Sequence, residues 1–257
     1  NRSFTYNDSL ADVFPTRNIN PLYTYELPLG PALLVDGRVY PGAFFTGGVG
    51  AHIGVQVHFE FGFATRSIYA ENTPDQVELS TSTSEFRVGL RGRIPIDALE
   101  LGIFAEYGMH KFRLIGDEDG NANPNFPLVP DVTYTFIRPG LDARFRFSDF
   151  MVGMHVAPRF LLSMHELDLQ DLWFPGATGS GLDMGLEVGY SLTPSLEVVA
   201  GFDFLRYAFD FNAIPKDNPV VAGGAKDDYI SGWLGVRFRL PGSGGASGAS
   251  ASASASD

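Results

Sequence analysis

Histidine and carboxylate residues are the first candidates for chemistry in this sequence. His165, Glu166 and Asp168 lie within four positions of one another, and His110 precedes a long polar segment. A histidine held beside a carboxylate can act as a general base, but no G-x-S-x-G motif supplies a nucleophile. Because solvated loop side chains explain these residues equally well, we predict that the chain is not an enzyme.

Cofactor and metal chemistry has little support in the residue types. The sequence contains no cysteine, which excludes disulfides, thiolate chemistry and cysteine-ligated zinc or iron–sulfur sites. Asp117, Asp119, Asn121 and Asn123 alternate as in a calcium loop, but Gly120 is misplaced and no glutamate closes the loop. We therefore expect no cofactor and no metal.

Arginine and carboxylate residues form a third group with a regular spacing. Along many segments they share every second position with glycine, and these positions hold ten arginines, ten acids and no lysine. A guanidinium group pairs with carboxylates through a planar fork and is less costly to desolvate than an ammonium group. We predict that they form an enclosed, structural ion-pair network. The predicted members are Arg38, Glu60, Arg87, Arg91, Glu100, Glu106, Arg138, Asp142, Arg144, Arg159, Asp183, Glu187, Asp203 and Arg237.

The elements that position these residues are β-strands. In 51–63, apolar residues from Ile53 to Phe63 take one face and polar or glycine residues take the other. This period of two is that of a strand, because a helix repeats every 3.6 residues. The same alternation recurs in 31–40, 84–94, 98–109, 137–147, 151–164, 182–192, 196–209 and 229–240.

The connections between these strands alternate in length. Short turns are predicted at 41–48, 95–97, 148–149 and 193–195. Long polar loops are predicted at 64–81, 113–131, 165–181 and 211–228. All the long loops therefore leave one end of the sheet, an asymmetry typical of outer-membrane barrels.

The segment Ser3–Tyr6 is interpreted as a partial first strand, followed by a long loop at 7–30. It brings the count to about ten strands but is too short to span the membrane, so we expect the natural protein to extend upstream. The predicted fold is all-β, a closed antiparallel up-and-down transmembrane β-barrel over residues 1–241. Residues 242–257, rich in Gly, Ala and Ser, are predicted to be a flexible tail.

Alternation alone does not distinguish a membrane barrel from a soluble one, since both have one apolar and one polar face. The composition of the polar face favours the membrane, because its glycines would leave a soluble barrel without packed volume. The formal net charge of −12 makes nucleic acid an unsuitable partner. We therefore expect apolar side chains to face lipid and arginines to face the lumen.

Two segments resemble known proteins. Trp233-Leu-Gly-Val-Arg-Phe-Arg-Leu240 resembles the C-terminal insertion signal of outer-membrane barrels, although it ends in Leu and a tail follows it. Asp36-Gly-Arg-Val-Tyr-Pro-Gly-Ala-Phe-Phe45 is similar to a strand and turn of uncharacterised myxobacterial outer-membrane barrels. The resemblance, to OmpA-like or small porin-like barrels, implies a bacterial outer-membrane location, with the lipid bilayer and the barrel-insertion machinery as partners. It implies no activity.

Three functions remain open at this stage. The first is a structural or surface-display barrel whose lumen is filled by charged side chains, with acidic outer loops that could bind an extracellular ligand. The second is a small pore or transport component, and the third is an enzyme acting through residues at the rim. Leu169, Leu172, Trp173 and Phe174 form an apolar cluster in one loop. It could recognise a partner, but we favour its folding over the barrel mouth.

Overall fold

The strands all belong to one antiparallel sheet. The computed structural model describes residues 1–7, 24–27, 29–69, 77–115, 131–168, 174, 176–212 and 222–239. The strands are β1 (Arg2–Asn7), β2 (Tyr25–Leu27), β3 (Ala32–Val39), β4 (Ile53–Tyr69), β5 (Val77–Ile96), β6 (Leu99–Ile115), β7 (Val132–Phe147), β8 (Phe150–Ser163), β9 (Thr178–Thr193), β10 (Leu196–Asp210) and β11 (Gly224–Phe238). Short 3-10 helices occupy Pro41–Phe44, Val49–His52 and His165–Asp168. Within these ranges no helix is both long enough and apolar enough for a membrane crossing.

The sheet has up-and-down topology, and each strand from β3 to β11 pairs with the next. β1 pairs with β11 and β2, and β2 also pairs with β4. β2 and β3 keep one register against β4, because Tyr25 lies opposite Tyr69 and Ala32 lies opposite Gly62. Within the described ranges, no strand pairs with the second edge of β3, or with the corresponding edge of β11 beyond Tyr229.

The two faces of the sheet differ in exposure as the alternation predicts. In β6, Ile103 is 60% exposed and Tyr107 is 52% exposed, whereas Glu106 on the opposite face is 4% exposed. The sheet curls around the charged face, so that Arg159 of β8 reaches Glu85 of β5. Apolar side chains of these strands therefore point outward, as predicted, and the arginines lie on the concave face of the sheet.

The polarity of the faces inverts towards the end with the long connections. In β10, Phe202 points outward and is exposed, but the next outward positions beyond Phe204 include Arg206 and Asp210, which are polar and exposed. Over the same stretch the inward positions become apolar, and Tyr207 and Phe209 are buried. β6 and β11 invert in the same way, so the outer part of the sheet resembles a soluble protein with its core inside.

An aromatic core fills this outer part. Its rings come from Phe4, Tyr25, Phe112, Tyr134, Phe136, Phe174, Tyr207, Phe209 and Phe211. Phe174, from the segment between β8 and β9, stacks on Phe211 with ring centroids 3.7 Å apart, and Leu167 from the same segment is fully buried. Phe174 of the predicted apolar cluster therefore packs into the aromatic core. Leu169, Leu172 and Trp173 lie outside the described residues.

The strands are longer at the outer end than the sequence predicts. β4 continues to Tyr69, β5 begins at Val77, β9 begins at Thr178 and β11 begins at Gly224, all inside segments predicted as loops. β2 also lies inside the predicted loop 7–30, so that prediction is wrong at Tyr25–Leu27. The reason is the inversion of the two faces. The sequence prediction assumed that outward positions stay apolar along a whole strand, so it ended each strand where the outward positions become polar.

Candidate functional site

The enclosed face carries a group of buried ion pairs near mid-height, which we call the central cluster. It contains Arg87, Arg138, Arg159, Glu85, Glu106 and Asp183, from strands β5 to β9. One oxygen of Asp183, Oδ2, accepts hydrogen bonds from Arg138 Nε at 2.9 Å and Arg159 Nη2 at 2.6 Å. The cluster holds three cations and three carboxylates, so its formal charge balances.

Arg159 is the most connected member of the central cluster. Its guanidinium group donates to both oxygens of Glu85, at 2.9 and 3.0 Å, and to the Tyr207 hydroxyl at 2.8 Å. Its side chain is 2% exposed. Such a bidentate pair fixes geometry as well as charge. Arg159 therefore links the charged lumen below to the aromatic core above.

Two further groups of ion pairs lie closer to the short turns. Arg91 forms a bidentate pair with Asp142, whose second bond measures 2.6 Å, and donates to the Tyr40 hydroxyl at 2.7 Å. Glu187 accepts from Arg144 at 2.8 Å and from Arg237 at 2.5 Å. Glu100 lies 3.7 Å from Arg91. Apart from the contact of Glu100 with Arg91, which joins neighbouring strands, these contacts link strands separated by one other strand and so cross the charged face of the sheet.

Within the described residues, three predicted members of the network form no arginine–carboxylate pair with another strand. Arg38 contacts Asp36 of its own strand at 3.5 Å. Glu60 has a histidine, His58, as its ion-pair neighbour at 4.0 Å. Asp203 accepts a hydrogen bond from the indole of Trp233 at 2.6 Å. Arg38 lies on the strand with an unpaired edge, which explains the looser contacts there.

Glycines on the enclosed face make room for these side chains. A Cβ atom at Gly102 would overlap the Arg91 guanidinium and the Asp142 carboxylate. One at Gly153 would overlap the Glu187 side chain. The charged groups therefore occupy volume that any larger residue at these positions would take.

A separate buried ion pair ties the first strand into the aromatic core. Arg2 donates to both oxygens of Asp227, at 2.7 and 2.8 Å, and its guanidinium lies 3.6 Å from the centre of the Phe112 ring. Burial opposes the charge of Arg2, but Asp227 outweighs it and raises the pKa of Arg2. Burial likewise raises the pKa of the Tyr25 phenol, which donates to Ser67 at 2.8 Å.

Sequence reasoning missed this second site because its residues lie where the face pattern inverts. Asp227 falls inside a predicted loop, and Tyr134 and Tyr229, whose hydroxyls donate to it at 2.8 and 2.9 Å, were not singled out. The available signal was the alternation of inward residues from Tyr229 through Asp227 to Ala225, which continues the pattern of β11 without a break.

The rim residues considered for catalysis do not come together. His110 is buried in the outer core, with Nδ1 3.4 Å from the Tyr207 hydroxyl. His165 is exposed in a 3-10 turn, and Asp168 of that turn accepts from the backbone N–H of Met164 at 3.3 Å. The Glu166 side chain and the segment 117–123 lie outside the described residues. Within the described ranges, no group of three or more His, Asp or Glu residues is placed to hold a metal ion.

The architecture has counterparts among solved structures. The outer membrane protease OmpT from Escherichia coli is similar with a TM-score of 0.47 and 12% identity, over 92% of each chain. An anion-selective porin from Comamonas acidovorans has a TM-score of 0.28 and 14% identity, over 84% of this chain and 57% of the porin. A further porin has the same score and identity, over 92% of this chain and 72% of its own. No protein-family model and no curated protein matches the sequence.

These similarities concern fold alone. These neighbours are an outer membrane protease and porins, and their likeness to this chain lies in the antiparallel up-and-down sheet. The expectation that the chain is not an enzyme is contradicted by the protease among them, and we withdraw it. At this identity and TM-score, the similarity assigns no reaction and no catalytic residue to this chain.

Proposed function

We propose that the chain is an integral β-barrel of the bacterial outer membrane, closed and plugged, with a structural or surface-display role at its outer mouth. The observation that carries the proposal is the exposed apolar band around an enclosed set of ion pairs. Water would not stabilise such a band, because large exposed apolar surfaces on soluble proteins are covered by a partner. Lipid covers it without any specific partner.

The height of the band supports this placement. On β6 the outward positions are apolar from Leu99 to Met109 and basic from Lys111. With a rise of ~3.4 Å per residue and a tilt of ~40°, that stretch covers about 26 Å along the membrane normal. Barrels of this class have an apolar band of about 25 Å. Phe147, Phe150 and Tyr190 then form part of an aromatic girdle at its lower boundary.

Closure is supported at the outer end by the pairing of β2. Counting β2 and β3 as one strand, the order runs from β4 to β11, then to β1 and back through β2 to β4. This circuit contains ten strands, the number proposed for the barrel. The free edges of β3 and β11 nearer the short turns must be covered in the bilayer, since hydrocarbon satisfies no backbone hydrogen bond.

The width of the proposed barrel and the side chains inside it both support a plugged lumen. A barrel of about eight strands leaves an interior that side chains just fill, and ten strands add little to it. The central cluster and the aromatic core both lie across that interior. The resemblance to OmpA-like and myxobacterial barrels stays a prediction.

Conductance across a planar bilayer tests the plug. The full chain, inserted into the bilayer, should give no stable single-channel steps, because the central cluster and the aromatic core block the passage. Steady steps of uniform size would instead establish a pore. A variant with Phe174→Ala and Phe211→Ala, which thins only the outer layer, should remain closed because the central cluster stays intact.

Cysteine pairs test closure without interference, since the chain has no cysteine. Ser3 and Glu26 are register partners across β1 and β2. The variant S3C/E26C should crosslink in the folded protein, and S3C paired with S180C on the distant β9 should not. Failure of the first pair to crosslink in protein that migrates as folded would refute closure at this end.

A further inference from the structure

The wall of the sheet has a local break at two facing prolines. β7 and β8 pair from Phe147↔Phe150 to Leu141↔Val156 and again at Ile137↔Phe160, but not between. In this register Pro139 of β7 and Pro158 of β8 lie directly opposite each other. Proline has no N–H and is normally confined to edges or bulges of a sheet, so two facing prolines in central strands are an unusual arrangement.

The extent of the break shows which backbone groups lose their partners. In an antiparallel ladder every second pair exchanges two N–H···O bonds. If Pro139 and Pro158 were a non-hydrogen-bonded pair, the neighbouring pair Arg138 and Arg159 would exchange the two N–H···O bonds. The missing proline N–H groups would then not interrupt the pairing. The pairing is interrupted, yet Pro139 still pairs with Ala105 and Pro158 with Leu182 on their other sides. The proline carbonyls therefore point into the β7–β8 seam, each without its ladder donor.

An apolar groove lies on the outer surface beside this seam. It has a volume of about 610 Å³, and its lining includes Ile103, Ala105, Pro139, Leu141, Val156 and Pro158. The small side chain of Ala105 forms its floor between larger neighbours, since Ile103 and Leu141 are 60% and 57% exposed. Ligand sites commonly combine such an apolar concavity with a few placed polar groups.

We propose that this groove binds one molecule that has an apolar skeleton and a hydroxyl group, with the O–H donating to the carbonyl oxygen of Pro139 or Pro158. A carbonyl without a donor in an apolar environment is costly, which selects for a ligand that brings a donor. An ammonium group would carry charge into the apolar band. An amide would bring a third carbonyl to a site that already has two. A hydroxylated lipid fits both requirements.

The identity of the natural ligand as a membrane component rests on the proposed function, but the site itself is testable in detergent. The probes are 1-tetradecanol and its methyl ether, in which a methyl group replaces the hydroxyl hydrogen and removes the hydrogen-bond donor. Binding to the full chain in deuterated micelles is measured by ligand-observed NMR titration. The alcohol should bind about five-fold more tightly than the ether, the effect of one net hydrogen bond of about 1 kcal/mol.

Two variants separate the donor effect from the groove. P139V/P158V supplies the two missing N–H donors, so the preference for the alcohol should vanish. A105F fills the groove and should weaken both probes, whereas A143F, on the same outer face of β7 outside the groove, should weaken neither. Equal affinity of the alcohol and the ether for the unmodified chain would overturn the proposal, as would a preference that persists in P139V/P158V. These results do not depend on conductance or closure, so the proposed function can fail separately.

Discussion

The inner and outer parts of this sheet bury opposite kinds of side chain with the same strands. In the band, Ile103 and Leu186 face outward while Arg159 and Asp183 are enclosed. Above the band, Arg206 faces outward and rings such as Tyr207 are enclosed. The same strands run across the boundary, with register shifts near it in β4 and β7, so the surroundings of each part determine which residues it encloses. Period-two alternation therefore identifies a strand but leaves open which face meets solvent.

The two interiors are also stabilised differently. The inner one depends on carboxylates and guanidinium groups, the central ones largely buried, where the loss of one partner leaves an uncompensated charge. The outer one depends on stacked and edge-to-face aromatic rings, whose contribution scales with the apolar area they bury. Substitutions placed on either side of the boundary should separate these two behaviours.

The largest effect is expected from Arg159→Met, which removes the cation shared by Glu85 and Asp183. The variant should lose about 3–5 kcal/mol of the free energy of unfolding, because two enclosed carboxylates each lose one cationic partner and the central cluster keeps an uncompensated negative charge. Urea unfolding in phospholipid vesicles measures it. Arg113→Met, an exposed outward arginine of the outer part, is the control and should change stability by less than about 0.5 kcal/mol. Similar losses in the two variants would contradict the distinction between the parts.

An outward arginine in each part tests the boundary itself. Leu186→Arg places a charge in the apolar band of β9 and should cost about 2–4 kcal/mol in vesicles. Ser180→Arg, six residues earlier on the same face of the same strand, lies above the band and should cost less than about 0.5 kcal/mol. Unfolding free energies of both variants are compared in one lipid. If Ser180→Arg were as costly as Leu186→Arg, the band would have to extend higher than we place it.

Tyr207 joins the two parts, since its ring belongs to the aromatic core and its hydroxyl accepts from Arg159. Tyr207→Phe keeps the ring and removes the hydrogen bond to a charged donor, which should cost about 1.5 kcal/mol. Urea unfolding of the variant is compared with that of Tyr190→Phe, an exposed tyrosine of the girdle. A loss no larger than that of the control would indicate that the parts are not coupled through this bond.

The smallest effect is expected on the outside of the outer part. Arg206 and Asp228 form an exposed pair at 2.6 and 2.7 Å. A double-mutant cycle should give a coupling of about 0.2–1 kcal/mol that disappears in 1 M salt. The same cycle on the enclosed pair Arg144 and Glu187 should give a larger coupling with little salt dependence. Equal salt sensitivity of the two pairs would show that the lumen is open to solvent.

The apolar band could be predicted from sequence. The period-two alternation defines the two faces of each strand, and a single decision that the apolar face points outward assigns all of them. The arginines, their carboxylates and the outward apolar positions follow from that choice, as Arg91 with Asp142 illustrates. The outer part could not be predicted from it. In the outer part the inward residues are apolar and the outward residues are polar, so Tyr25–Leu27 and the start of β11 were assigned to loops.

The ion-pair partners on non-neighbouring strands could not be predicted from the sequence either. Alternation places Arg159 and Glu85 on the same face, but their contact depends on how the sheet curls, and they are 74 residues apart. The proline pair shows a similar limit. Pro139 and Pro158 each look like a local irregularity in the sequence, and their opposition follows from the register of β7 against β8.

The apolar band ends abruptly at its upper edge, and this limits the bilayer thickness that suits the protein. Lys111 and Asp228 follow directly above apolar outward positions on β6 and β11. A bilayer thicker than the band would draw these charges into hydrocarbon, whereas a thinner one would expose apolar side chains to headgroups. Hydrophobic mismatch of this kind costs fractions of a kcal/mol per Å and sorts proteins among membranes. The protein should therefore insert best in lipids whose hydrocarbon thickness matches the height of the band.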